Sequence, residues 1–123
     1  MMAKDPEAPL PLTTLWYSIL LAMADAPRHG YGIIKEIELR TGGTMSPATG
    51  TVYLALQRLE EDGLIGESRE AVEEPPADRR RRRWYELTPF GREVLVAETR
   101  RLHAQVGVAL EKGVVDPSTL QTR

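Results

Sequence analysis

The sequence predicts a mainly α-helical domain carrying one small β-hairpin, and three observations predict it. Apolar residues recur at spacings of three and four along three short stretches and again along a final, longer one. Ser46-Pro47 and Thr88-Pro89 each read as a helix start, a hydroxyl cap followed by a proline whose missing N–H costs nothing at the first helical position. Between these two signals, Leu64-Ile65 and Arg82 to Leu87 hold the β-favouring side chains of two strands, with Trp84 and Tyr85 in the second.

The first eleven residues contain Pro6, Pro9 and Pro11 and few large apolar groups, so residues 1–11 are expected to form a flexible arm. From Leu12, the residues Leu15, Trp16, Ile19, Leu20 and Met23 recur at helical spacing, while Tyr17, Leu21, Ala22 and Ala24 fill most of the remaining circumference. A helix that is apolar nearly all round is buried on more than one side, and in a chain of 123 residues one of those sides suits a second subunit. Pro27 ends this element. Ile33, Ile34 and Ile37 then mark a second helix, closed by Gly42-Gly43.

The third helix is expected to start at the Ser46 cap and run to about Asp62, with Gly63 in the left-handed position beyond its end. On a helical wheel Ala48, Val52, Ala55, Leu56 and Leu59 share one side. The other side presents Gly50, Tyr53, Leu54, Gln57 and Glu61, a face with little charge in its first two turns and a small residue at its centre. After the two strands, joined by a long polar loop, the last helix starts at Thr88 and ends near Gly113. Leu95, Thr99, Leu102, Val106 and Ala109 form a short seam of coiled-coil type along it. Residues 114–123 read as a flexible tail.

The order helix, helix, helix, strand, strand, helix is that of a winged helix-turn-helix over residues 12–88, followed by a long C-terminal dimerisation helix over residues 89–113. In such folds the third helix enters the DNA major groove and the hairpin touches the backbone or the minor groove.

Composition narrows the function classes. A chain of this length is one domain; 41% apolar residues suffice for one core, and 28% charged residues give an ordinary polar surface. The absence of cysteine excludes disulfide scaffolds, thiolate metal sites and cysteine nucleophiles. The longest mainly apolar stretch, Leu15 to Met23, is nine residues, against the roughly 20 needed to span a bilayer, and nothing resembles a signal peptide, so a cytoplasmic protein without membrane contact is expected. There is no glycine-rich phosphate loop, nucleophile elbow or histidine–carboxylate pair, and His29 and His103 stand 74 residues apart. No catalytic residue, metal site or cofactor is assigned.

The net charge of −2 argues at first against a nucleic-acid partner, but it is unevenly distributed. An acidic stretch over residues 67–78 runs directly into Arg79, Arg80, Arg81, Arg82 and Arg83, and the remainder of the chain carries −7 once these five are set aside. The arginines would neutralise phosphates and make binding salt-dependent. Strand alternation lets only about half of them point one way, so pairing with Glu73, Glu74 or Asp78 is the competing fate. Thr49, Gly50, Thr51 and Tyr53, in the first turns of the third helix, offer hydroxyls and backbone N–H groups to phosphates, with Gly50 permitting close approach. Simple capping or packing is the plain alternative for these residues.

Several separated motifs carry a family resemblance over roughly Leu12 to Leu95. They are His29-Gly30-Tyr31-Gly32-Ile33, then Ser46-Pro47-Ala48-Thr49-Gly50-Thr51-Val52-Tyr53 continuing through Leu56, Arg58, Leu59 and Glu60 to Gly63-Leu64-Ile65, and finally the arginine run feeding Trp84-Tyr85-Glu86-Leu87-Thr88 and Gly91. In order and spacing these resemble the PadR family of bacterial transcriptional regulators. Leu54 departs from the pattern, which often has proline there, and the hairpin loop is longer and more acidic than usual.

The resemblance implies a dimeric repressor bound to operator DNA through His29, Tyr31, Ser46, Thr49, Gly50, Thr51, Tyr53 and the five arginines. It also implies a homodimer interface formed by the first and last helices, here Leu15, Trp16, Ile19, Leu95, Leu102, Val106 and Ala109. The resemblance also implies an aromatic or cationic small-molecule effector near that interface; Trp16 is read first as a core residue, with a place in the lining of an effector pocket as the alternative. The net negative charge and the acidic loop favour the alternative, a winged-helix protein-interaction or ligand-sensing module without DNA binding.

Overall fold

Thr13 opens the first helix: its hydroxyl accepts the Trp16 N–H at 3.1 Å and caps α1 (Thr14–Ala22). Just ahead of it the Leu12 N–H donates to the Glu98 carboxylate at 2.8 Å, tying the approach to the helix to the body. The structure, a computed structural model, describes residues 4–69 and 83–120. After α1 follow strand β1 (Arg28–His29), helix α2 (Gly30–Arg40), helix α3 (Thr49–Glu61), strands β2 (Ile65–Glu67) and β3 (Trp84–Leu87), helix α4 (Pro89–Glu111) and a 3-10 turn at Pro117–Leu120.

The architecture is mainly helical with a small antiparallel sheet, as the sequence predicts, but the sheet has three strands in the order β1-β3-β2. Ile65 lies opposite Leu87 and Glu67 opposite Tyr85, while on the other edge Arg28 pairs with Tyr85 and His29 with Trp84. The two-residue β1 carries no periodic signal, and it ties the turn before α2 to the hairpin.

One core holds these elements together. Ile19 and Leu20 of α1, Ile33 and Ile37 of α2, Val52, Leu56 and Leu59 of α3, Leu64, Ile65 and Val94 are all essentially inaccessible to solvent. Each such side chain contributes about 1.5–3 kcal/mol by leaving water. Gly63 ends α3 with φ +79°, a left-handed conformation that glycine adopts without steric cost. Thr88 then joins three elements: its N–H donates to the Leu64 carbonyl at 3.1 Å, its hydroxyl donates to the Gly63 carbonyl at 2.6 Å, and the same oxygen accepts the Gly91 N–H at 2.9 Å. At Gly91 any β-carbon would overlap the Leu64 carbonyl, so the first turn of α4 crosses the start of β2 with the two backbones touching.

The arm lies against the body over its described part. Residues 5–10 form a turn with Ala8 N–H donating to Asp5 O and Leu10 N–H to Glu7 O, and Leu10 and Leu12 pack on the core. The Lys4 ammonium sits 5.1 Å from the Phe90 ring centroid. Glu98, 1% exposed, fastens this segment, accepting from Leu12 and from Arg101 at 2.5 and 3.1 Å. The Arg101 guanidinium, followed by the Leu12 N–H, holds the Glu98 carboxyl below the ordinary carboxylate value against the opposing effect of burial. Within 114–120, read as tail, Asp116 accepts the Ser118 N–H and starts the 3-10 turn. Among the described residues no helix is long and apolar enough to cross a membrane.

Candidate nucleic-acid interface

Helix α3 buries Val52, Ala55, Leu56 and Leu59 and turns Gly50, Tyr53, Leu54, Gln57 and Glu61 outward, the division the wheel predicts. Its start is corrected. Ser46 does not cap it: the Ser46 hydroxyl donates to Glu38 Oε2 of α2 at 2.5 Å, and the helix begins two residues after Pro47 with Ala48 at the cap position. Ala48, expected on the inner side, is therefore exposed.

Ala48 offers no side-chain hydrogen bond, whereas Thr13, His29 and Thr88 all cap their helices. The first turn of any helix leaves N–H groups without an intrahelical partner and carries the positive end of the dipole. In α3 those groups lie beside Thr49, Gly50 and Thr51, all exposed, and a β-carbon at Gly50 would meet nothing within 4 Å.

Tyr53 is 46% exposed, and its ring lies over Gly30, where an added β-carbon would stand 2.5 Å from the ring. Gly30 is thus the residue that lets the outer face of α3 meet the start of α2. There His29 Nδ1 accepts the Gly32 N–H at 3.0 Å, which places the proton of a neutral ring on Nε2. The His29 ring meets Trp84 edge-on at 4.7 Å and stacks towards Tyr31 at 6.4 Å. Tyr31 is 56% exposed with the Lys35 ammonium 5.3 Å from its ring centroid, and its hydroxyl heads the causes that raise the Lys35 pKa. His29, Tyr31, Gly30 and Tyr53 are therefore brought together on one side of the helix-turn-helix.

Of the arginine run, Arg79, Arg80, Arg81 and Arg82 lie outside the described residues, as do Glu73, Glu74 and Asp78. Arg83 is described, and its carboxylate partners come from the folded body: Glu60 of α3 at 3.0 Å and Glu67 of β2 at 3.2 Å, with the guanidinium 5.3 Å from the Tyr85 ring centroid. Sequence reasoning missed both carboxylates. Glu60 sits in a run with Glu61 and Asp62 that fans around the helix end, and only the sheet register brings Glu67 beside it.

The residues expected at a subunit interface separate into two groups. Ile19 is corrected: it is 0% exposed within the protomer and has no surface to offer, and Leu95 is 5% exposed. Leu102, Val106 and Ala109 lie on the part of α4 beyond the core, half-buried or exposed. Leu15 and Trp16 line a shallow groove of about 180 Å³ against Thr51, Leu54, Ala55 and Arg58 of α3, so Trp16 faces the third helix. A wider apolar concavity of about 470 Å³ lies between α1 and α4, lined by Leu21, Leu95, Val96, Thr99, Arg100 and His103. Among the described residues no group of His, Asp or Glu is placed to hold a metal ion.

These features match known proteins in both sequence and shape. The transcriptional regulator Rv3488 of Mycobacterium tuberculosis is 40% identical over 84 residues, covering 68% of this chain and 71% of its own. An uncharacterised 37.1 kDa protein of transposon TN4556 from Streptomyces fradiae is 37% identical over 98 residues; the match covers 80% of this chain but only 26% of that longer protein. Among solved structures, a PadR family transcription regulator from Clostridium difficile superposes with a TM-score of 0.66 at 25% identity, over 80% of this chain and 97% of the other. Bacillus subtilis PadR, in complex with operator DNA, shares the fold with a TM-score of 0.54 at 22% identity, over 69% of this chain and 47% of the other. The model of the transcriptional regulator PadR-like family matches residues 19–97, well over half of the chain. The chain therefore belongs to the PadR-like family of transcriptional regulators.

Proposed function

We propose that this regulator binds operator DNA as a homodimer and represses transcription, with α3 entering the major groove and the hairpin arginines lying along the backbone. The observation that carries this reading is the N-terminal half of α3, which lacks a capping side chain and whose Thr49, Gly50 and Thr51 are exposed, with open space at Gly50. Such an end meets phosphates with backbone N–H groups and a favourable dipole. The operator complex of Bacillus subtilis PadR, a protein of the same fold, supports it. His29, Tyr31, Ser46 and Tyr53 border this end of the molecule; Arg79 to Arg82 supply charge, and the exposed apolar residues of α4 beyond the core, with Leu102, Val106 and Ala109, supply the subunit interface.

The concavity between α1 and α4 suits an aromatic effector that releases DNA, and Arg100 in its lining disfavours a cationic one. The test is fluorescence anisotropy with duplexes tiled across the DNA upstream of the chain's own gene, titrated at several salt concentrations. A salt-sensitive complex with one duplex is expected, and Arg81→Ala is expected to flatten the salt slope by about 0.9 for each phosphate it ceases to neutralise. Absence of any salt-sensitive complex overturns the reading.

A further inference from the structure

We propose that Arg83 is separate in role from the arginines before it: it is the positioning residue that fixes the base of the wing to the C-terminal end of α3. Side chains from three elements converge on its guanidinium. One nitrogen lies within hydrogen-bond distance of Glu60 on α3 at 3.0 Å and of Glu67 on β2 at 3.2 Å, and the Tyr85 ring of β3 lies 5.3 Å from the guanidinium carbon. Tyr85 is itself 5% exposed in the core, directly opposite Glu67 in the sheet and, on its other side, Arg28. The two carboxylates that its guanidinium faces offset the positive charge locally and so weaken its pull on a phosphate. Its place near the C-terminal end of α3 also opposes the negative end of the helix dipole, which Glu60 and Glu61 would otherwise reinforce. The last described backbone bond of the wing, from the Ser68 N–H to the Trp84 carbonyl at 2.7 Å, lies next to this junction, so the clamp sets the angle at which the hairpin leaves the body.

The consequence for DNA rests on the binding reading above, but the clamp itself is measurable without DNA. Three variants of the full chain are compared with wild type: Arg83→Ala, the pair Glu60→Gln with Glu67→Gln, and all three substitutions together. The readouts are amide hydrogen exchange at Ser68 and anisotropy with the bound upstream duplex across a salt series. Exchange at Ser68 is expected to quicken about three- to tenfold in Arg83→Ala and in the Glu pair alike, the scale of two part-exposed ion pairs and a cation–ring interaction, and no further in the combination. Affinity is expected to fall by a similar factor at every salt concentration, with an unchanged slope, in both variants. An unchanged Ser68 amide in Arg83→Ala overturns the clamp. So does a salt slope flattened by about 0.9 in that variant, or tighter DNA binding by the Glu pair, since either would make Arg83 a phosphate ligand. If wild type binds no DNA, the binding reading falls, and the Ser68 amide still decides the clamp.

Discussion

Ser46-Pro47 and Thr88-Pro89 carry the same local signal ahead of helices in the same small fold, yet they end in different arrangements. Thr88 is a complete cap, with its hydroxyl accepting from Gly91 and donating to Gly63, and α4 starts at the adjacent proline. Ser46 gives its hydroxyl to Glu38 on the neighbouring helix, and α3 starts at Thr49 behind an alanine. The difference lies in what each helix end must do. The start of α4 is pressed against the Leu64 backbone, so its polar groups need partners within the protein. The start of α3 faces solvent, where its N–H groups are open to water and, in the proposed complex, to a phosphate.

The glycines in the two first turns give the largest contrast. Gly91→Ala is expected to cost about 3 kcal/mol or more, because the new methyl would overlap the Leu64 carbonyl and the backbone cannot yield cheaply. Gly50→Ala has open space and is expected to stabilise the fold by about 0.5–1 kcal/mol while weakening DNA binding, if the proposed close approach at Gly50 holds. Urea unfolding of both variants, paired with anisotropy for the second, checks this. Equal stability losses, or undiminished DNA binding by Gly50→Ala, would break the contrast.

The hydroxyls come next. Thr88→Ala removes both the cap and the tie to Gly63 and is expected to cost about 1–2 kcal/mol. Ser46→Ala removes an exposed bond between neighbouring elements and is expected to cost less than about 0.5 kcal/mol. If thermal unfolding shows Ser46→Ala to be as costly as Thr88→Ala, Ser46 acts as a cap in solution and α3 starts earlier than described.

What was legible in the sequence follows the same division between local and long-range causes. The four helices, the two hairpin strands and the Gly63 stop are set by periodicity and by glycine chemistry, which a short window contains. Strand β1 was not legible because two residues after a proline carry no alternation; the ladder partners Trp84 and Tyr85 make it a strand. The anchoring of Leu12 was hidden because its partner, Glu98, stands 86 residues away. Trp16 and Ile19 share an apolar helix, and only packing decides that one faces α3 and the other the protomer core. The candidate DNA face was legible in Gly50, Tyr53 and Tyr31, but the Glu60–Arg83–Glu67 junction required the sheet register.

The smallest effect tests where the Ser46 proton points. The Glu38 carboxyl is held below its ordinary value of about 4.5, first by the Ser46 hydroxyl and then by Lys35, whose ammonium stands 3.5 Å away, with slight burial opposing both. A carboxyl whose folded pKa is depressed stabilises the fold above its unfolded pKa, and that contribution is lost as pH falls through the folded value. Ser46→Ala is therefore expected to move the Glu38 midpoint upward in a carbon-detected NMR titration and to remove part of the stability otherwise lost on acidification. Lys35 keeps the midpoint from returning fully to the ordinary value, and Thr88→Ala leaves it where it is. An unmoved Glu38 midpoint in Ser46→Ala would mean that the hydroxyl serves α3 after all, and the two helix starts would then differ in degree and not in kind.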